Sequence, residues 1–172
     1  MKKILFKAKG IDDGVWIIGD LITTVFLRRE EGREDEPIPY ILDITKADYD
    51  CFDDLAEDNG IFEVFPETIC RYTGLTDKNG RKIWENDVVN FEDTGEEGYE
   101  YKEGFDFQNR AVVRWNNGRF ELYKFLSDNS EMMELMNNCH EDFWNALKDC
   151  QVIGNIYDNP ELLNQLNDNL TA

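Results

Sequence analysis

Apolar side chains recur along this chain in short segments, and most of the segments alternate with polar residues as half-buried β-strands do. Turn residues separate several of them. Asp13 precedes Gly14, residues 77–80 read D-K-N-G, and residues 116–118 read N-N-G. Because Asn, Asp and Gly favour the backbone of tight hairpins, the pattern predicts a mainly β fold with three such turns. The predicted strands are 4–8, 15–24, 38–44, 61–65, 68–73, 82–84, 87–91, 110–115, 119–125 and 152–157.

Two segments have helical features, which makes the predicted class α+β. Apolar residues recur at steps of three and four through residues 128–150, and this period predicts one long helix there. Asp128 and Glu131 have the spacing of a capping box at its start. Asn159, Pro160 and Glu161 then predict the beginning of a short C-terminal helix.

Residues 92–109 are acidic and aromatic, contain three glycines and show no clear period. They predict either a mobile loop or an irregular hairpin arm. We treat this segment as an acidic insert.

The charge of the chain is strongly negative and unevenly spread. The formal net charge is −19, and no Lys or Arg occurs between residues 47 and 70. A surface of this sign repels phosphate backbones and attracts basic partners. The acids therefore either keep the protein in solution or guide it to a basic protein. The candidate partner-binding residues are Asp48, Asp50, Asp53, Asp54, Glu57, Asp58, Glu92, Asp93, Glu96, Glu97, Glu100, Glu103, Glu131, Glu134, Glu141 and Asp142.

The sequence offers little for catalysis, metals or cofactors. His140 is the single histidine, and the four cysteines at 51, 70, 139 and 150 include no C-x-x-C pair. The acids at 48–53 lack the glycine and glutamate of a calcium loop. We therefore expect no enzyme activity, no catalytic residue, no metal and no cofactor. No apolar run reaches 18 residues, so we expect a cytoplasmic protein without a membrane partner.

Residues 71–89 read R-Y-T-G-L-T-D-K-N-G-R-K-I-W-E-N-D-V-V, which resembles the signature of YopX-type phage and prophage proteins. Segments at 6–21, 112–118 and 152–163 also resemble that family, in the same order. Three positions depart from its pattern: Arg71 stands where Gln is usual, Trp84 where Tyr is usual, and Asn86 where Gly is usual. Asn tolerates left-handed backbone, so we expect the turn at Asn86 to survive.

The resemblance implies a fold more than an activity, because the family is phage-borne and has no assigned general activity. It implies a YopX-like complex β-fold with SH3-like barrel elements, in which Tyr72, Trp84 and Trp115 suit the barrel core. We expect an N-terminal β subdomain at 1–70. An SH3-like β core at 71–172 would carry the acidic insert and the helices.

Three functional hypotheses follow. The first is a non-enzymatic phage accessory protein that binds and modulates a basic host protein, for example a counter-defence inhibitor that mimics nucleic acid. The second is an SH3-like nucleic-acid-binding module, although the net charge disfavours direct binding. The third is a binder of a small nucleotide ligand. A homo-oligomer stays open. The basic and aromatic residues of the second hypothesis are Arg71, Lys78, Arg81, Lys82, Arg110, Arg114, Arg119, Trp84 and Trp115.

Overall fold

The structure is a computed structural model that describes residues 4–24, 37–43, 45, 60–94, 106–127 and 130–166. Its α-helices are α1 (Glu131–Asn138) and α2 (His140–Lys148), and its short 3-10 helices are Pro66–Thr68 and Pro160–Gln165. Its strands are β1 (Phe6–Lys9), β2 (Trp16–Thr24), β3 (Ile38–Leu42), β4 (Ile61–Glu63), β5 (Cys70–Thr76), β6 (Lys82–Trp84), β7 (Asp87–Thr94), β8 (Asp106–Asn116), β9 (Arg119–Tyr123) and β10 (Gln151–Asn155).

The strands form two antiparallel sheets, so the predicted mainly β fold is confirmed. One sheet has the order β4-β3-β2-β1-β5-β6 and the other β10-β7-β8-β9. Within the described residues neither sheet closes on itself, and the expected SH3-like barrel is therefore absent from this part of the chain. The chain divides into two compact units, Met1–Tyr72 and Thr73–Ala172, with the division inside β5.

The first unit has a small apolar core on one face of its strands. Ala8, Ile17, Ile41 and Val64 are buried there. β1 and β2 pair in a register that puts Lys9 opposite Trp16, so the alternate residues of these strands lie on the other face. Burial of each larger aliphatic side chain contributes about 1.5–3 kcal/mol, so Ile17, Ile41 and Val64 stabilise this unit.

The second unit places both helices on one face of its four-stranded sheet. Met132 and Met136 of α1, with Phe143 and Leu147 of α2, lie in the same buried cluster as the inward side chains of β7, β8 and β9. The opposite face buries Val88 and Val112 against Leu166 and the leucines of the C-terminal 3-10 helix. Both faces of this sheet are therefore covered.

The prediction of a single long helix over 128–150 is wrong, because the chain forms two helices that meet at Cys139. Its φ of −136° and ψ of 71° are not helical. The four residues 137–140 read N-N-C-H, and Asn, Cys and His are all weak helix formers. The helix also starts later than predicted: Ser130 is the N-cap, and its hydroxyl accepts a hydrogen bond from the Met133 N–H at 3.2 Å.

The acidic insert is a hairpin arm at its base. Glu92, Asp93 and Thr94 of β7 pair with Gln108, Phe107 and Asp106 of β8. Residues 95–105 lie outside the described part of the chain. Trp84 is buried as expected, whereas Trp115 is 38% exposed. The expectation of a core position for Trp115 is therefore wrong, because the residue lies near the exposed turn between β8 and β9.

Candidate functional site

A groove of about 450 Å³ lies in the first unit, beside the turn that joins β1 to β2. We call it the N-terminal groove. Its lining combines carboxylates with apolar side chains. The acids are Asp12, Asp13, Asp43 and Glu63, and the other lining residues are Gly10, Val15, Trp16, Ile17, Ile18, Thr45 and Phe62.

Backbone pairing brings the two sides of the groove together. Gly10 forms an isolated β-bridge with Val64, and the N–H of Ile11 donates to the carbonyl of Glu63 at 3.1 Å. The N–H of Phe65 donates to the carbonyl of Lys9 at 2.9 Å. These contacts place the β1–β2 turn next to the end of β4, although the two segments lie far apart in the sequence.

Local hydrogen bonds hold two of the acids in place. Oδ1 of Asp13 accepts the N–H of Val15 at 2.9 Å, inside a turn that Gly14 completes with a φ of 68°. Oδ1 of Asp43 accepts both the N–H and the hydroxyl of Thr45, at 3.0 and 2.6 Å. Short-range bonds of this kind are typical of Asp in turns, and they fix the direction of each carboxylate.

The groove also exposes apolar surface. Val15 is 57% exposed and Ile18 is 45% exposed. The ammonium groups of Lys7 and Lys9 lie 4.9 and 5.4 Å from the ring centroid of Trp16. Among the residues that the structure describes, the four lining carboxylates thus outnumber the ammonium groups of Lys7 and Lys9. The groove can therefore accept a ligand that is cationic and partly apolar.

Sequence reasoning missed the acids of this groove. Asp13 was considered only as a turn residue, and Asp43 and Glu63 lie within the predicted strands 38–44 and 61–65. The signal that unites them is the pairing of Gly10 with Val64, which no local pattern reveals.

Six of the sixteen predicted partner-binding residues lie in the described part of the chain, and five of these are exposed: Glu92, Glu131, Glu134, Glu141 and Asp142. Glu131 and Glu134 occupy the first turn of α1, and Glu141 and Asp142 occupy the first turn of α2. Acids at these positions also stabilise the helices through their dipoles. The predicted acids at 48–58 and 96–103 lie outside the described residues.

Asp93, the sixth, is buried and acts inside the fold. Its Oδ2 accepts the Nδ2 of Asn109 at 2.8 Å and the hydroxyl of Ser130 at 2.5 Å. Its Oδ1 accepts the N–H of Met132 at 3.1 Å. This carboxylate joins β7 and β8 to the start of α1, so we remove it from the candidate partner surface.

The basic residues of the nucleic-acid hypothesis are partly neutralised. Arg114 lies 2.6 Å from the buried carboxylate of Glu121, and Arg119 lies 3.5 Å from it. Burial alone raises the pKa of Glu121. Hydrogen bonds from Asn116 and Arg114, together with both guanidinium charges, lower it overall. Trp84, a second element of that hypothesis, is buried. Glu121 thus offsets the charge of Arg114 and Arg119, whereas Lys78, Arg81 and Lys82 are exposed.

In the described ranges, no three His, Cys, Asp or Glu side chains are grouped as metal ligands. None of the helices described there has the length and apolar character needed to cross a membrane.

Comparison with known families shows to which family the chain belongs. The family model described as YopX protein matches residues 33–164. The chain belongs to the YopX family. No curated protein matches this YopX protein. A solved structure, the crystal structure of protein EF1440 from Enterococcus faecalis, is similar to it with a TM-score of 0.43 and 18% sequence identity, covering 94% of this chain and 98% of that chain.

The YopX-like signature at 71–89 has an architectural role in the structure. Oδ1 of Asp77 accepts the N–H groups of Asn79 and Arg81, and its Oδ2 accepts the N–H of Val152 at 3.0 Å. Burial raises the pKa of Asp77, but these hydrogen bonds and the charge of Arg81 lower it overall. The side chain thus connects the β5–β6 hairpin to β10. We therefore place the candidate site of this YopX protein in the N-terminal groove.

Proposed function

We propose that this YopX protein is a non-enzymatic phage accessory protein that binds and modulates a basic protein of the host. Its specific form is a counter-defence inhibitor that mimics nucleic acid and occupies the basic surface of a nuclease or regulator. The N-terminal groove carries the proposal, because its four carboxylates and its exposed Val15 and Ile18 complement a cationic, partly apolar surface.

Electrostatics support the proposal in two further ways. The net charge of −19 favours fast encounter with a basic partner. The exposed acids at the starts of α1 and α2 add negative charge to the second unit. The single histidine, His140, has its Nε2 within 2.7 Å of the guanidinium of Arg119, an arrangement that suits a surface contact better than general acid-base chemistry.

Affinity capture from a lysate of the bacterial host tests the proposal. The immobilised chain is exposed to lysate at low and at moderate salt, and retained proteins are identified by mass spectrometry. We expect a basic, nucleic-acid-binding protein that is retained more weakly as the salt rises, since salt screens exposed charges. The activity of the purified partner is then measured with and without the chain. Retention of no basic protein at either salt would refute the proposal.

Two parallel measurements separate the alternatives. A gel shift with single- and double-stranded DNA and RNA at low salt tests a nucleic-acid-binding module. Thermal shift against a panel of nucleotides tests a nucleotide binder. We expect neither to respond, because the carboxylates of the groove repel phosphates and because Glu121 engages Arg114 and Arg119.

A further inference from the structure

We infer that the N-terminal groove binds a peptide segment in which a basic side chain stands next to an apolar one. The inference rests on the proposed function and names the part of the partner that the groove recognises. It follows from two independent features of the groove, its charge and its exposed apolar surface.

The four carboxylates of the groove favour a positively charged ligand over a negatively charged one. Asp12 and Asp13 lie on the turn, and Asp43 and Glu63 lie at the ends of β3 and β4. Carboxylates form charge-assisted hydrogen bonds with guanidinium and ammonium groups, and arginine is suited to bidentate pairing. Phosphates, nucleotides and anionic lipid surfaces would be repelled from the same positions.

The apolar lining favours a peptide over a bare cation. Val15 and Ile18 are 57% and 45% exposed, and Phe62 also lines the groove. Basic side chains lay their aliphatic stems along apolar surface while the charged end reaches polar groups. A neighbouring apolar residue would cover the rest of this surface. The volume of about 450 Å³ lies inside the range of roughly 300–1,000 Å³ typical of ligand pockets.

Trp16 shows that this region already stabilises cations. The ammonium groups of Lys7 and Lys9 lie within 5.4 Å of its ring centroid. Aromatic rings attract cations through their negatively charged faces. Because those two ammonium groups already occupy the ring, a guanidinium that enters the groove would pair with the lining carboxylates. The groove therefore complements an arginine or lysine together with its apolar neighbour.

The test uses the full chain and short acetylated, amidated peptides in a calorimetric titration. One peptide carries Arg beside Leu, and a second carries citrulline, the neutral isostere, in place of Arg. The groove variant combines Asp12→Asn, Asp13→Asn and Asp43→Asn. Asn keeps the Oδ1 acceptor that binds the Val15 and Thr45 N–H groups, so the turns are retained. The matched control combines Asp106→Asn, Asp149→Asn and Glu161→Gln, which are exposed acids of the second unit outside the candidate partner surface, and it removes the same charge.

We expect the arginine peptide to bind the wild type and the matched control alike, and the groove variant at least about tenfold more weakly. We expect the citrulline peptide to bind the wild type weakly as well. Three results would overturn the inference: no binding of the arginine peptide, equal binding of the citrulline peptide, or an equal loss in the matched control. Spermidine binding as tightly as the peptide would also overturn it, since the occupant would then be a small organic cation.

The same variants separate this inference from the proposed function. If the groove variant retains a basic host protein as well as the wild type does, the groove inference fails and the proposed function stands. If the wild type retains no basic protein, the proposed function fails, and the peptide titration alone decides the inference. Circular dichroism and thermal unfolding confirm that each variant is folded before either comparison.

Discussion

Replacement of Asp93 by alanine should destabilise the second unit strongly, because this buried carboxylate connects three elements. It accepts hydrogen bonds from Asn109, Ser130 and Met132. The three donor residues are at most 4% exposed. Truncation leaves these donors buried without an acceptor, and each such donor costs about 1–3 kcal/mol.

Relaxation of the surrounding structure reduces the summed cost of the three donors. We therefore expect Asp93→Ala to lower the free energy of unfolding by roughly 3–5 kcal/mol. That is a large share of the roughly 5–15 kcal/mol by which most domains are stable. Asp93→Asn keeps one oxygen acceptor and should lose less. Glu92→Ala is the matched control, because Glu92 is the exposed neighbour on the same strand; it should change stability by no more than about 0.5 kcal/mol.

Urea unfolding measures the global effect, and hydrogen exchange measures the local one. The amides of Met132 and Met133 should exchange faster in Asp93→Ala, since the first donates to Asp93 and the second to Ser130. A loss below about 1 kcal/mol, or unchanged exchange at these two amides, would refute the internal role of this carboxylate. Asp93 would then return to the candidate partner surface.

Three further predictions follow from backbone geometry and titration. Asn86 has a φ of 67°, which alanine adopts less readily than glycine. The free energy of unfolding of Asn86→Ala should therefore be about 1 kcal/mol below that of Asn86→Gly, and equal urea midpoints would contradict this. The folded pKa values of Asp77 and Glu121 are lowered from 3.8 and 4.5, so the stability that they contribute is present above those values and is lost as the pH falls below them. Urea midpoints measured down to about pH 3 should therefore decline less steeply in Asp77→Asn with Glu121→Gln, and parallel curves would exclude this linkage. Burial raises the pKa of the Cys150 thiol to about 12, whereas Cys139 is exposed. Iodoacetamide at about pH 8 should therefore modify Cys139 and spare Cys150 in the native protein. Comparable labelling of both cysteines on peptide mapping would contradict this prediction.

Strands and hairpins could be predicted because their signals are local. The turn at 116–118 requires left-handed backbone, and Asn117 and Gly118 supply it with φ values of 49° and 85°. The turn at 77–80 ends on Gly80 with a φ of 79°. The alternation of apolar and polar residues on both sides of each turn then predicts the two strands that it joins. The family resemblance of the signature was confirmed for the same reason, since it depends on consecutive residues.

Features that depend on distant contacts could not be predicted. The apolar period continues through Cys139, so it does not reveal that the helix is interrupted there. Asp93 resembles the other acids of the insert, and only the convergence of Asn109 and Ser130 shows that it is buried. The N-terminal groove likewise requires the pairing of Gly10 with Val64. The net charge led to the hypothesis of a basic partner, but it could not locate the groove.

The bridge between Gly10 and Val64 has a consequence for how such a protein can change over time. It is a backbone contact, so it does not depend on the identities of the side chains carried by the adjoining turn. Under the proposed function, substitutions at Asp12 and Val15 would therefore alter recognition while the scaffold stays intact. Targets would then diversify at this turn, much as loops vary on other rigid frameworks.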